Sequence, residues 1–177
     1  MTNRGKITPH HSAMPTSVDV FSLTLPWAPP SAQVFTFDAI EALSQPYCVA
    51  ITMVLQAHEL AEVEPALDVR ASLAVLDEQG SPRAHLAGVV TAASLVRALS
   101  NEAFYRVELR PALWKLSLHT RSRVWVDKTL PEILQEVLRE HGVEHDLALR
   151  KRYPRMLHTC QYRESDLDFL SRWMERE

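Results

Sequence analysis

The chain has 177 residues, 46% of them apolar and 23% charged, which supports a packed core and argues against wholesale disorder. A net charge of -3 carries no nucleic-acid footprint, and no apolar run approaches the ~18 residues of a membrane span. Nucleic acid and membrane insertion are therefore excluded as expected partners.

Residues 1–16 are rich in Pro, Ser, Thr and His and lack periodicity, so they read as a flexible leader. No small-residue cleavage site follows the interrupted apolar stretch Val18–Leu25, so a signal peptide is not expected. Strand signals begin at Val18, where apolar and polar positions roughly alternate to Leu25. Pro26, Pro29 and Pro30 mark a turn or linker. Val34–Ile40 and Tyr47–Leu55 are the next strands, rich in β-branched and aromatic residues. Leu73–Leu76 and Leu86–Val96 follow, joined by the hairpin turn Gln79-Gly80-Ser81-Pro82. Phe104–Arg110 alternates cleanly and puts Arg106, Glu108 and Arg110 on one polar face. Six or more short strands with turns between them predict an antiparallel β-barrel or sandwich, although four glycines are few for a closed barrel.

The pattern changes after Asp127. Thr129-Leu130-Pro131-Glu132 is a capping box with proline in the first turn. Leu130, Ile133, Leu134, Val137 and Leu138 then share one helical face. His141 falls in the last turn as a dipole partner, and Gly142 is the stop. A second helix starts at Ser165, with Asp166 and Asp168 in its positive first turn. Its apolar face is expected to carry Leu167, Leu170 and Met174, widened by Phe169 and Trp173. It reaches Glu177 without a terminator, so the chain reads as the N-terminal piece of something longer, with Trp173 and Met174 left as an apolar patch. The fold class is thus α+β. The expected domains are a barrel over 17–127 and the helical start of an α/β segment over 128–177.

The motifs for chemistry are sparse. His141-Gly142-Val143-Glu144-His145 spells H-x-x-E-H, an inverted zincin pattern, and defines one alternative function, a small zinc hydrolase. That chemistry needs both imidazoles on one helical face, and Gly142 reads as a helix end between them. Glu164, Asp166 and Asp168 are explained by their place at a helix start. His10, His11, His58, His85, His119 and His158 have no ligand spacing. Cys48 and Cys160 form neither a disulfide framework nor a metal knuckle and read as buried thiols. The basic run Arg150, Lys151, Arg152 and Arg155 reads as a solvated loop. The four tryptophans read as core or interface anchors. No catalytic, cofactor-binding or metal-ligating residue is assigned, and no cofactor is expected.

Five segments, in order, carry a resemblance. Glu41-Ala42-Leu43-Ser44-Gln45-Pro46-Tyr47 fits E-x-L-S-x-P-[YF], and Gly88-Val89-Val90-Thr91 fits G-[IV]-V-T. Tyr105–Trp114 fits Y-x-L-x-L-R-P-x-L-W, with Val107 at the first apolar position. Arg123–Ile133 fits the strand leading into D-K-[TS]-x-P-E-I, and Gln161–Arg172 fits Q-Y-x-E-S-D-L-D-F-[VLI]-S-R. Over about residues 34–177 the chain resembles the gp27-like hub of type VI secretion spike proteins, the VgrG family, and related contractile-phage tail hubs. It departs from the family at Asp68-Val69-Arg70, where many members place a glycine. The resemblance implies a structural, non-enzymatic role. The full-length protein would trimerise, dock on a hexameric tube protein (Hcp-like) and carry effector proteins. It would assemble in the cytoplasm and leave through the secretion apparatus without a signal peptide. A phage or prophage tail hub is the alternative within the same class.

Overall fold

The computed structural model describes residues 2–5, 21–59 and 62–176. It divides into two compact units, Met1–Pro111 and Ala112–Glu177. Val18, Val20, His10, His11 and most of the expected leader lie outside the described residues.

The first unit is one antiparallel sheet of seven strands: β1 (Thr2–Gly5), β2 (Phe21–Thr24), β3 (Gln33–Ala42), β4 (Gln45–Gln56), β5 (Arg70–Leu76), β6 (Pro82–Ala98) and β7 (Glu102–Arg110). Their order is β1-β3-β4-β7-β6-β5-β2. β1 falls within the expected leader and pairs antiparallel with Phe37–Ile40. The sheet forms a half-barrel and curls far enough for Phe21 of β2 to meet Phe37 of β3 edge-on, at 5.4 Å. Alternation sets its interior. Val49, Ile51, Met53 and Leu55 of β4 lie against Tyr105, Val107 and Leu109 of β7, all buried. Trp27 seals one end, its ring 5.5 Å from Tyr105 and its indole N–H donating to the Glu62 carbonyl.

β6 makes the corner. Residues Pro82–Val89 pair with β5, and Val89–Ala98 pair with β7. Bulges at Thr91 and Val96 bend it there. Gly88 sits at the handover, and a Cβ in its place would stand 2.2 Å from the Arg110 carbonyl oxygen. That close approach explains why few glycines suffice: the sheet turns chiefly by bulges and needs a missing side chain at this one corner. In Asp68-Val69-Arg70, the region where the resemblance leads to an expected glycine, Asp68 adopts φ +60°, a conformation short polar side chains tolerate best after glycine.

The second unit holds β8 (Thr120–Thr129), α1 (Leu130–Glu140), β9 (Arg155–Ser165) and α2 (Asp166–Arg176). A short 3-10 turn, Ala112–Ser117, opens it. The chain changes unit at Pro111, ahead of the expected boundary after residue 127, because β8 finds its partner in β9 and not in the large sheet. One core joins Leu116, Trp125, the α1 face Leu130, Ile133, Leu134, Val137 and Leu138, and Phe169 and Leu170 of α2. Trp125 stacks on Phe169 with centroids 4.9 Å apart.

On the α2 face Phe169 and Leu170 are buried, Leu167 and Trp173 pack partly against the core, and Met174 is exposed. Asp166, the first residue of the helix, is buried with them. One expectation differs from what is observed. Cys160, expected buried, is exposed, because it lies across from Val124 on the face of β8–β9 away from the core; Cys48 is half-buried.

Candidate functional site: the buried Asp166 cluster and its charged seam

The capping box at Thr129 forms as the sequence predicts. The Glu132 backbone N–H donates to Thr129 Oγ1, and the Thr129 N–H donates back to Glu132 Oε2 at 2.7 Å. The Glu132 carboxyl is held below the ordinary carboxylate range, first by the Thr129 N–H, then by the Thr129 hydroxyl, with a smaller contribution from Arg155. This cap fixes the rotation of α1, which then presents Glu132, Glu136 and Glu140 in one row, spaced at four residues.

Each glutamate of that row meets cations from the antiparallel strand pair β8–β9. Arg155 donates to Glu132 at 3.3 Å and to Asp127 at 3.0 Å. Lys128 pairs with Glu136, whose other oxygen accepts from the Trp125 indole N–H at 2.9 Å. Glu136 is held below the usual range, first by the bond from Lys128 and next by that from Trp125. Arg123 and Arg121 both reach Glu140, at 2.8 and 3.3 Å.

At the end of this seam lies Asp166, 0% exposed. Its Oδ1 accepts from Arg123 Nη2 and from Gln161 Nε2, each at 2.8 Å. Its Oδ2 meets His141 Nε2 at 2.7 Å and Arg121 Nε at 3.5 Å. Burial would raise this carboxyl, but the bonds from Gln161 and His141 and the charges of Arg123 and Arg121 outweigh it and hold the group ionised. Gln161 is oriented by Arg123 Nε, which donates to its oxygen at 2.8 Å. A carboxylate with this many charge-assisted partners is a structural lock: it ties β8, β9, α1 and α2 to one point.

The remaining candidates fall around this lock. The H-x-x-E-H segment does not assemble. α1 ends at Glu140, Gly142 takes φ +64°, His141 turns to Asp166, and His145 Nδ1 faces the Val143 carbonyl at 2.8 Å. Two imidazoles on opposite sides of a helix terminus cannot share one face, so the zinc-hydrolase alternative has no support. Among the described residues, no group of three His, Cys, Asp or Glu is arranged to hold a metal ion. His141 is less a dipole partner than a ligand of Asp166. Glu164 pairs with Arg172 at 2.6 Å, and Asp168 completes the cap with Ser165, whose Oγ accepts the Asp168 N–H at 3.0 Å. The role of Asp166 was hidden in sequence because an acid in a helix's first turn is normally solvated. The available signal was the pairing of two arginines, Arg121 and Arg123, on alternate strand positions with Gln161 in the last motif.

The first unit shows the same economy. The Tyr47 hydroxyl, the last residue of the first motif, donates to the carbonyl of Ala87, next to Gly88 of the second. Leu43, of the first motif, is 96% exposed at the tip of the β3–β4 hairpin, where Ser44 takes φ +60°.

The family described as phage tail baseplate hub (GPD) matches residues 40–177, and the chain belongs to it. Its curated relatives include VgrG spike proteins. It is 32% identical to the type VI secretion system spike protein VgrG1b of Pseudomonas aeruginosa over 146 residues, covering 82% of this chain and 19% of that protein. It is 38% identical to the actin cross-linking toxin VgrG1 of Vibrio cholerae over 116 residues, 64% of this chain and 10% of that protein. Thus the chain spans a fifth or less of these relatives' length. Among solved structures, it resembles the E. coli c3393 protein, a component of the type VI secretion system with structural similarity to the T4 bacteriophage tail proteins gp27 and gp5. The TM-score is 0.75 at 26% identity, over 85% of this chain and 42% of that one. The 43 kDa tail protein of prophage MuSo2 from Shewanella oneidensis shares the fold, with a TM-score of 0.56 at 16% identity, over 79% of this chain and 44% of that one.

Proposed function

We propose that this chain is a structural hub portion of a type VI secretion spike. Met1–Pro111 is the first hub barrel, and Ala112–Glu177 opens the α/β segment that follows it. In the full-length protein three copies associate, and the ring they form docks on a hexameric tube protein by matching symmetry, without bond-making chemistry. The chain folds in the cytoplasm and leaves through the apparatus, with effectors carried on or by other parts of the spike.

The observation that carries this reading is the use made of the motif residues. Gln161, Glu164, Ser165, Asp166 and Asp168 of the last motif all point into internal bonds that lock the fold. The side chains left at the surface include large apolar ones such as Leu43, Ile40 and Val126, as suits a subunit made to be packed against others. Identity above 30% to VgrG proteins favours secretion over a phage tail, for which the MuSo2 protein offers likeness of fold alone. The test is size-exclusion chromatography of the purified chain with and without the hexameric tube protein. Co-elution that is lost on Leu43→Asp supports docking through the barrel. Separate elution at every mixing ratio rules it out for this portion.

A further inference from the structure

Residues 141–154 join α1 to β9, and neither helix nor strand forms between Gly142 and Pro154. Both ends of this connection are fixed. At one, Gly142 takes φ +64° and the Val143 N–H donates to the Leu138 carbonyl at 2.9 Å, which closes α1. At the other, Tyr153 packs partly against the core, and Pro154 brings no N–H to a ladder, so β9 starts after it. Between these ends the chain is loosely held. Among the described residues, Glu144–Pro154 makes one backbone–backbone hydrogen bond, from the Leu149 N–H to the Leu147 carbonyl at 3.0 Å. Every residue from Ala148 to Arg152 is exposed, and the last three are Arg150, Lys151 and Arg152. Three consecutive cations repel one another and oppose a compact loop. Such a segment opens at little cost, because few bonds must break before it lies extended. Exposed loops of this kind are where proteolytic nicking concentrates.

The rest of the unit holds across the loop. β8 precedes it, β9 follows it, and the two pair antiparallel from Thr120↔Ser165 to Thr129↔Arg155. Arg123 reaches Gln161 and Asp166, and His141 reaches Asp166. Arg155 reaches back to Asp127 and Glu132. Phe169 and Leu170 share one core with Trp125 and the α1 face. All of these contacts join groups on opposite sides of the basic run, and none passes through it.

We infer that Arg150-Lys151-Arg152 is a cleavage site for proteases that cut after basic residues, and that the cut chain stays folded as one unit. Hydrolysis breaks one backbone C–N bond and consumes one water. The basic residue keeps a new carboxylate, and the next residue gains an ammonium group. One fragment retains β8 and α1, the other β9 and α2, and the Asp166 lock then serves as a staple between them. The inference stands on the second unit alone and does not rest on the hub reading.

The test is limited digestion of the whole chain with trypsin at neutral pH, read by mass spectrometry. Of all the bonds between Phe21 and Arg176, the first to be cut is expected to follow Arg150, Lys151 or Arg152. The two products should co-elute on native size-exclusion chromatography, keep the circular dichroism of the uncut chain, and separate in denaturant. Changing all three residues to glutamine should abolish this cut and leave the folded spectrum unchanged. A first cut elsewhere in that range would overturn the inference, and so would fragments that part on the native column. Cleavage of the loop that persists in the triple variant would overturn it as well. Failure to co-elute with the tube protein leaves these results untouched, so the two readings fail separately.

Discussion

In Met1–Pro111 the rows facing the interior are Ile51, Met53, Tyr105 and Val107, and no ionised side chain is buried among the described residues. In Ala112–Glu177 the rows facing the helices include Arg123 and Gln161, and a fully buried aspartate sits beneath them. Both units lay an antiparallel sheet against a core, yet the first is held by apolar burial and a curled sheet, and the second adds a charged zipper of three glutamates and Asp166. A seven-stranded sheet can bury its own inner face; a two-stranded pair cannot, and needs helices fixed onto it. The charges contribute to that fixing, together with Trp125, which shares their face and packs into the core.

Several changes would break or sharpen this contrast, read separately in each unit by amide hydrogen exchange. The largest effect is expected from Gly88→Val. Its side chain collides with the Arg110 backbone at the β6 corner, which cannot yield without unpairing β7, so protection should collapse in the first unit by several kcal/mol, on the order of 4 or more. Protection that survives there would mean the corner is not rigid. Asp166→Ala should cost the second unit about 3 kcal/mol, because Arg123 is left part-buried without its partner. If the loss is under about 1 kcal/mol, the cluster is not the lock described. Thr129→Ala removes the capping box and should cost about 1 kcal/mol, confined to α1.

Acidification should separate the units as well. Glu132, Glu136 and Asp166 all have folded values below their ordinary ones. A depressed carboxylate contributes stability that is complete above its unfolded value, near pH 4, and is lost as pH falls through the lower folded value. Exchange protection of α1 and α2 should therefore decline below about pH 4, with less change in the rows around Ile51 and Val107. The effect should be smaller in Asp166→Asn, which no longer carries the ionising group. Equal acid loss in both units would show that the charged zipper is not what distinguishes them.

Much of the fold was legible in local pattern. The capping box at Thr129, the α1 apolar face, the Gln79–Pro82 turn and the alternation of Phe104–Arg110 are all found where the residues place them, since each depends on neighbours a few positions apart. The five ordered segments pointed to the hub family, to which the chain belongs. The boundary after residue 127 was misplaced because β8 reads like one more strand of the large sheet; only its pairing with β9 reveals its unit. The burial of Asp166 was not legible for a related reason, since an acid counted as polar by type became a core residue through partners far away in the chain.

What the sequence by itself determined is which residues share a face: in β8, period two groups Arg121, Arg123 and Trp125 on one side and Ser122, Val124 and Val126 on the other, whatever surrounds them. Which of those sides turns inward was decided only in the tertiary structure. Charge pairing acts at about 3 Å between groups as distant in the chain as Arg123 and Asp166, 43 positions apart, and it acts together with Trp125, on the same side of β8, which packs into the core.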